Sequence, residues 1–199
     1  MPDSTCTLSD KDYLAAFRMP LGQSIKGRKT TVTNAFVNAL IPAIYPSADE
    51  IRTAIHILGL NARDLRCSYC GDKASEWDHL RPLVVNRRPT GYISEIANLV
   101  PACGKCNQSK GNSNWREWMV SEARHSPTGR RLAEVSERLA RLEAFEKLRA
   151  PIRIDFGEII GLDEWERYWT LCENVIEEMR LCQDVADSLR QKIIQSLTP

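Results

Sequence analysis

The sequence predicts an α+β protein, mostly helical, with a small non-helical centre. Three observations predict it. Apolar residues recur at three- and four-residue intervals in both end regions, the period of helices with one buried face. The stretch 61–120 lacks long periodic segments and carries prolines, glycines and short strand-like runs. That same stretch holds two Cys-x-x-Cys pairs. The chain is accordingly read as an N-terminal helical region (1–60), a central module (61–120) and a C-terminal helical region (121–199).

In the first region, helices are expected over Lys11–Arg18, broken by Met19-Pro20-Leu21-Gly22, and over Thr31–Ile41, stopped by Pro42. Ser47 with Glu50 three residues on has the form of a capping box. Ile51, Ala54, Ile55 and Leu58 then supply one apolar face, and Gly59 suits the stop. In the centre, short strands near Glu76–Leu80 and Gly91–Ile93 are expected to pair around Asn86-Arg87-Arg88-Pro89-Thr90. A helix should follow from Cys106 or Asn107 and break at Gly111. In the third region, Leu132, Val135, Leu139, Leu142 and Phe145 mark an amphipathic helix ending before Pro151. Ile152–Ile160 reads as a turn or short strand. From Trp165, Tyr168, Trp169, Leu171, Cys172, Val175, Ile176 and Met179 a long helix runs toward Leu197, its aromatic stripe suited to core packing or to a dimer surface.

The formal net charge of +1 argues against an indiscriminate DNA degrader, which would gain from a strongly basic surface. Its distribution is more informative. Residues 61–118 hold nine Lys/Arg against six Asp/Glu, and Lys26-Gly27-Arg28-Lys29 adds a second basic patch. No run of eighteen apolar residues offers a membrane span. Met1-Pro2-Asp3-Ser4-Thr5 lacks the basic and apolar regions of a secretory signal, so a cytoplasmic location is expected.

Seven cysteines, an odd number, argue against a disulfide framework. Cys67-Ser68-Tyr69-Cys70 and Cys103-Gly104-Lys105-Cys106 each point two thiolates at one metal, and together they complete a tetrahedral shell. Such a site is closed to water and hence structural, with zinc the expected ion. The 32 residues between the pairs exceed a simple ribbon and require an inserted element. Cys172 and Cys182 read as small core residues on a helix, and Cys6 is left over.

Between and after the pairs lie Trp77-Asp78-His79-Leu80-Arg81-Pro82, Ala97-Asn98-Leu99-Val100-Pro101 and Cys106-Asn107-Gln108-Ser109-Lys110-Gly111. This order of CxxC, DH, NL, CxxCN and Lys resembles the HNH endonuclease family in its four-cysteine form, over Cys67 to Gly111. The resemblance implies a ββα-metal module, a hairpin and a helix gripping one divalent cation. It also implies that Asn98 organises the loop and orients His79, and that Asn107 completes the cation site.

The chemistry of the residue types agrees. A neutral imidazole at His79 can act as general base. Asp78 and the Asn107 amide are hard oxygen donors suited to Mg²⁺ or Mn²⁺. On a strand Asp78 and His79 point to opposite faces, so both serve one site only at an edge or with a distorted backbone. Lys110, one helical turn beyond Asn107, could reach a phosphate, and Arg87 and Arg88 could hold phosphates or read bases. His56 on an apolar helical face reads as structural, and His125 as an exposed helix end.

The function expected is therefore a site-specific bacterial DNA endonuclease of the restriction or host-defence kind. It would act on double-stranded DNA as a homodimer through its C-terminal helices. Two readings stand beside it: a zinc-stabilised DNA-binding module that does not cut, and a nuclease for RNA or for modified or branched DNA.

Overall fold

A computed structural model describes residues 8–17 and 22–197. Of the expected first helix, α1 spans Asp10–Ala16; Arg18, the break at 19–21 and Cys6 lie outside the described residues. Helix α2 (Lys29–Leu40) follows a short 3-10 turn at Lys26–Arg28. The capping box forms at α3 (Ala48–Ile57): the Ser47 hydroxyl accepts from the Glu50 N–H, and the Glu50 carboxylate accepts from the Ser47 N–H at 2.8 Å.

The central sheet differs from the expected hairpin. Strand β1 (Glu76–His79) pairs antiparallel with a strand at Leu99–Ala102, placing Asp78 opposite Val100 and His79 opposite Leu99. Gly91–Ile93 is not its partner. Gly91 takes φ +95, a conformation that interrupts a strand. A separate hairpin lies between, β2 (Val84–Val85) with β3 (Arg88–Pro89), and the Leu99–Ala102 strand is therefore β4. Asn86 and Arg87 join β2 to β3 with φ of +51 and +64, the positive pair that a two-residue hairpin turn requires.

Cys103 caps α4 (Gly104–Lys110), so the helix starts earlier than expected, inside the second cysteine pair, and ends at Gly111. A short helix not foreseen, α5 (Trp115–Met119), starts from Asn114, whose side chain accepts from the N–H groups of Arg116 and Glu117. Then come α6 (Val135–Leu148), α7 (Phe156–Ile160) and α8 (Leu162–Leu197). In place of the expected turn or strand at 152–160, Arg153 makes one bridge to Tyr92 and Asp155 caps α7.

Two apolar clusters hold these elements. The first gathers Ala54 and Leu58 of α3, the four paired cysteines, Tyr69, Leu80, Val100, Trp115, Trp118, Leu142 and Phe145. The second joins Val37 of α2 and Ile41 just after it to Leu83, Val84, Ile93, Phe156, Trp169 and Cys172. The aromatic stripe at the start of α8 is thus core: Trp165 stacks on Phe156, and the Tyr168 hydroxyl donates to the Phe36 carbonyl at 2.8 Å. Cys172 is buried as expected, whereas Cys182 is exposed, because it lies about a quarter-turn away from the side of α8 that carries the buried Cys172 and Gln183.

Candidate active site

The first cysteine pair sits on a turn closed by Gly71, at φ +79, whose N–H donates to the Cys67 carbonyl at 2.9 Å. The second occupies the N-terminus of α4. The four Sγ atoms all lie within 4.8 Å of one another, buried, with Cys70 and Cys103 3.7 Å apart. A zinc–sulfur bond of about 2.3 Å gives tetrahedral S–S edges of about 3.8 Å, so donor set and spacing fit a zinc ion. Hydrogen bonds from the Cys106 and Cys70 thiols pull Cys67 down to about 4, while the same contacts push Cys106 up. One thiol gives up its proton at the expense of another, and a divalent cation that took all four as thiolates would release the protons they still hold.

β4 runs directly into this cluster and β1 lies beside it. Glu76 and Asp78 face α4. Asn107 Nδ2 donates to Glu76 Oε2 at 2.6 Å, which leaves Asn107 Oδ1 as an open acceptor. Gly104 permits this approach, since a Cβ there would lie 2.8 Å from Glu76 Oε1. Asp78 is buried. It accepts from the Tyr69 hydroxyl at 2.5 Å and pairs with Lys110 Nζ at 3.2 Å. Burial raises the Asp78 carboxyl above its usual range, against the pull of Lys110 and Tyr69. Burial likewise raises the Tyr69 phenol, keeping it a donor. Both partners are donors, so the carboxylate is the form that they satisfy.

The sequence suggests Lys110 as a phosphate contact; the structure corrects this. Its side chain is 1% exposed, and its ammonium is divided among Asp78 and the carbonyls of His79 (2.9 Å) and Gly111 (3.1 Å). It locks α4 onto β1 and does not reach the surface. Arg88 departs similarly from a nucleic-acid role: it pairs with Glu173 at 3.1 Å and Glu166 at 3.6 Å and lies over the Trp169 ring, tying β3 to α8. Arg87 is exposed at the turn. His56 is exposed, not on the buried face of α3, and His125 is half-buried near the Cys106 thiol.

His79 is half-buried on the opposite face of β1 from Asp78. Its Nε2 lies 3.0 Å from Ser94 Oγ. Burial, then the Lys110 charge, lowers its pKa to about 4, so the ring is neutral at physiological pH. Asn98, fully buried, braces the segment just beyond: its Oδ1 accepts from Arg81 N–H at 2.8 Å and its Nδ2 donates to the Arg81 carbonyl at 3.1 Å. Glu95 ties the same loop to Arg149 at 2.9 Å.

Although they point to opposite faces of β1, Asp78 and His79 both line a pocket of about 370 Å³, together with Trp77, Asn107, Asn112 and, from α2, Asn34 and Asn38. The structure thus brings together His79, Asp78 and Asn107, with Asn98 behind them. Arg88 and Lys110 are engaged elsewhere. Sequence reasoning missed Ser94, Glu76, Tyr69 and the two asparagines of α2. Only Tyr69, held between two metal-ligating cysteines, carried a local signal of burial.

The sequence model described as HNH endonuclease matches residues 67–113. The CRISPR-associated endonuclease Cas9 of Corynebacterium diphtheriae is 38% identical over 60 residues, 28% of this chain and 5% of that protein. The chain therefore spans only a small part of the length of that relative. No solved structure matches.

Two outcomes check this geometry. Lys110→Met leaves the Asp78 carboxylate buried without its cation and should destabilise the fold by about 3–5 kcal/mol, read by urea unfolding. Cys103→Ala should remove the bound metal, measured by elemental analysis, and with it the β1–β4 pairing and α4, read as a loss of structured amides in NMR spectra.

Proposed function

We propose that the chain, whose residues 67–113 match the HNH endonuclease model, is a metal-dependent DNA endonuclease, site-specific and of the bacterial restriction or host-defence kind. One observation carries the reading. A neutral histidine, held by a hydroxyl at one ring nitrogen, shares a pocket edge with two oxygen donors.

Phosphodiester hydrolysis needs a base for the attacking water and positive charge for the phosphate and the leaving 3′ oxygen. In the tautomer whose Nε2–H donates to Ser94, the imidazole lone pair stands on Nδ1, which would take the proton from water. Asn98 fixes the peptide of Arg81, two residues beyond His79, and so limits drift of the base. Asp78 and Asn107 would hold Mg²⁺ or Mn²⁺, which when bound neutralises charge on the phosphate and the leaving oxygen. Both residues have oxygen lone pairs to give, because Tyr69 and Lys110 do not exhaust the four or so acceptor sites of a carboxylate and Asn107 Oδ1 is open. Zinc at the four cysteines is structural in this reading.

One pocket cuts one strand, so a double-strand cut calls for two copies. Helix α8 supplies a surface for pairing. Its buried residues end at Gln183, yet Val185, Leu189 and Ile193 continue an apolar line at 59%, 54% and 59% exposure, with Val175 and Cys182 earlier on the same helix. Among the described residues no helix is long and apolar enough to cross a membrane.

The test is digestion of plasmid and phage DNA, methylated and unmethylated, by the zinc-loaded protein with Mg²⁺ or Mn²⁺. Discrete fragments are expected; a smear overturns site specificity, and intact DNA overturns the enzyme. His79→Ala should lower cleavage by at least about a hundredfold while leaving the thermal midpoint within a few degrees, since the removed group is a base and not a packing element. Leu189→Glu should convert a dimer to a monomer in light scattering, and a wild type that is itself monomeric would remove α8 from this role.

A further inference from the structure

α2 lies outside the residues that match the nuclease family, yet it walls the pocket. Its inward face, Val37 and Ile41 with half-buried Val32, Phe36 and Leu40, packs on Leu83, Val84 and Ile93. That shared core fixes α2 against the loop leaving β1. Its outward face is a single stripe at three- and four-residue spacing: Thr31, Asn34, Ala35 and Asn38, all exposed. Among the described residues, the side chains of Asn34 and Asn38 make no hydrogen bond, although both line the pocket that contains His79.

The charge carried by this segment of the chain is one-sided. Residues 13–48 contain no Asp or Glu in a chain that has 26 of them, and they carry Arg18, Lys26, Arg28 and Lys29. Lys26 and Lys29 are exposed at the start of α2. A solvated helix of a near-neutral protein ordinarily mixes both signs. A helix that carries no acid of its own, with small side chains that admit close approach and amides that both donate and accept, complements a polyanion that displays base edges.

Resting on the endonuclease reading, we propose that α2 reads the substrate: Asn34 and Asn38 contact base edges of duplex DNA next to the cleaved phosphate, and Lys26 and Lys29 hold its backbone. An asparagine amide pairs in a bidentate manner with adenine. Four residues of helix advance about 6 Å, a little under two base-pair steps of about 3.4 Å, so the two amides address neighbouring pairs. The sequence preference is therefore set within about two nucleotides of the cut.

The zinc-loaded full chain tests this in two ways. Anisotropy of labelled duplexes is measured without magnesium or manganese, so that nothing turns over, and fragment ends are sequenced after digestion with magnesium. Asn34→Ala/Asn38→Ala should lose about tenfold or more in preference for its favoured duplex and flatten the base bias beside the cut. Lys26→Ala/Lys29→Ala should weaken all duplexes alike and reduce the slope of log affinity against log salt by about 2. Asn38→Asp, which sets a carboxylate against the phosphates, should lose at least as much affinity as the alanine pair. All four side chains are exposed, so thermal midpoints should stay at the wild-type value and verify folding. An asparagine pair variant with wild-type affinity and wild-type fragment ends overturns the assignment of α2 and leaves the endonuclease reading standing. A wild type that binds duplexes with these dependences but never cuts them overturns the endonuclease reading and leaves α2 as the DNA-reading element.

Discussion

The convergence of four thiolates is the constraint on which the rest of the centre depends. Two turns separated by 32 residues are drawn to one point, and everything between them must form a closed excursion. β1 leaves the first turn, β4 returns to the second, and the two pair because their ends are already held together. α4 then begins on the cluster itself, so its direction is set before any of its side chains pack. A hairpin of two four-residue strands has little stability alone. Here its ends are fixed by the cysteines and its face is covered by α4.

On that frame the buried pair of Asp78 and Lys110 acts as a lock. A charge taken out of water is costly unless it is matched, and here the ammonium meets a carboxylate and two carbonyls while the carboxylate also meets a phenol. The lock dictates how close α4 can lie to β1. It thereby fixes where Asn107, which lines the same pocket as His79, stands against β1. The Lys110 charge also helps burial hold the imidazole unprotonated, so one interaction bears on both the shape of the pocket and the proton state of His79.

Legibility in the sequence followed chemical type. The cysteine spacing, the Asp78-His79 pair, Asn98, Asn107 and the capping box at Ser47 are local patterns, and each stands where its pattern implied a structured position. β4 was obscured because its four residues include Pro101, which cannot donate to a ladder and reads as a break. Lys110 and Arg88 were legible as cations but not as engaged ones, since their partners are 32 residues away in one case and on α8 in the other. Ser94 and the asparagines of α2 reach the site only through tertiary packing, and no spacing along the chain encodes that meeting. Cys182 looked like core because a small apolar residue on a helix suits burial, but the side of α8 covered at that level carries Gln183.

The way Asn98 is bound has a consequence for failure. Its amide grips the backbone of Arg81 in both directions, and its own carbonyl accepts from Leu80, so the stretch after the histidine has no soft point at which to loosen by degrees. The same stretch is anchored through β4 to the cysteine cluster. Heating such a molecule should leave the pocket intact until the whole centre gives way, with the metal, the strands and the histidine's orientation lost in a single cooperative event.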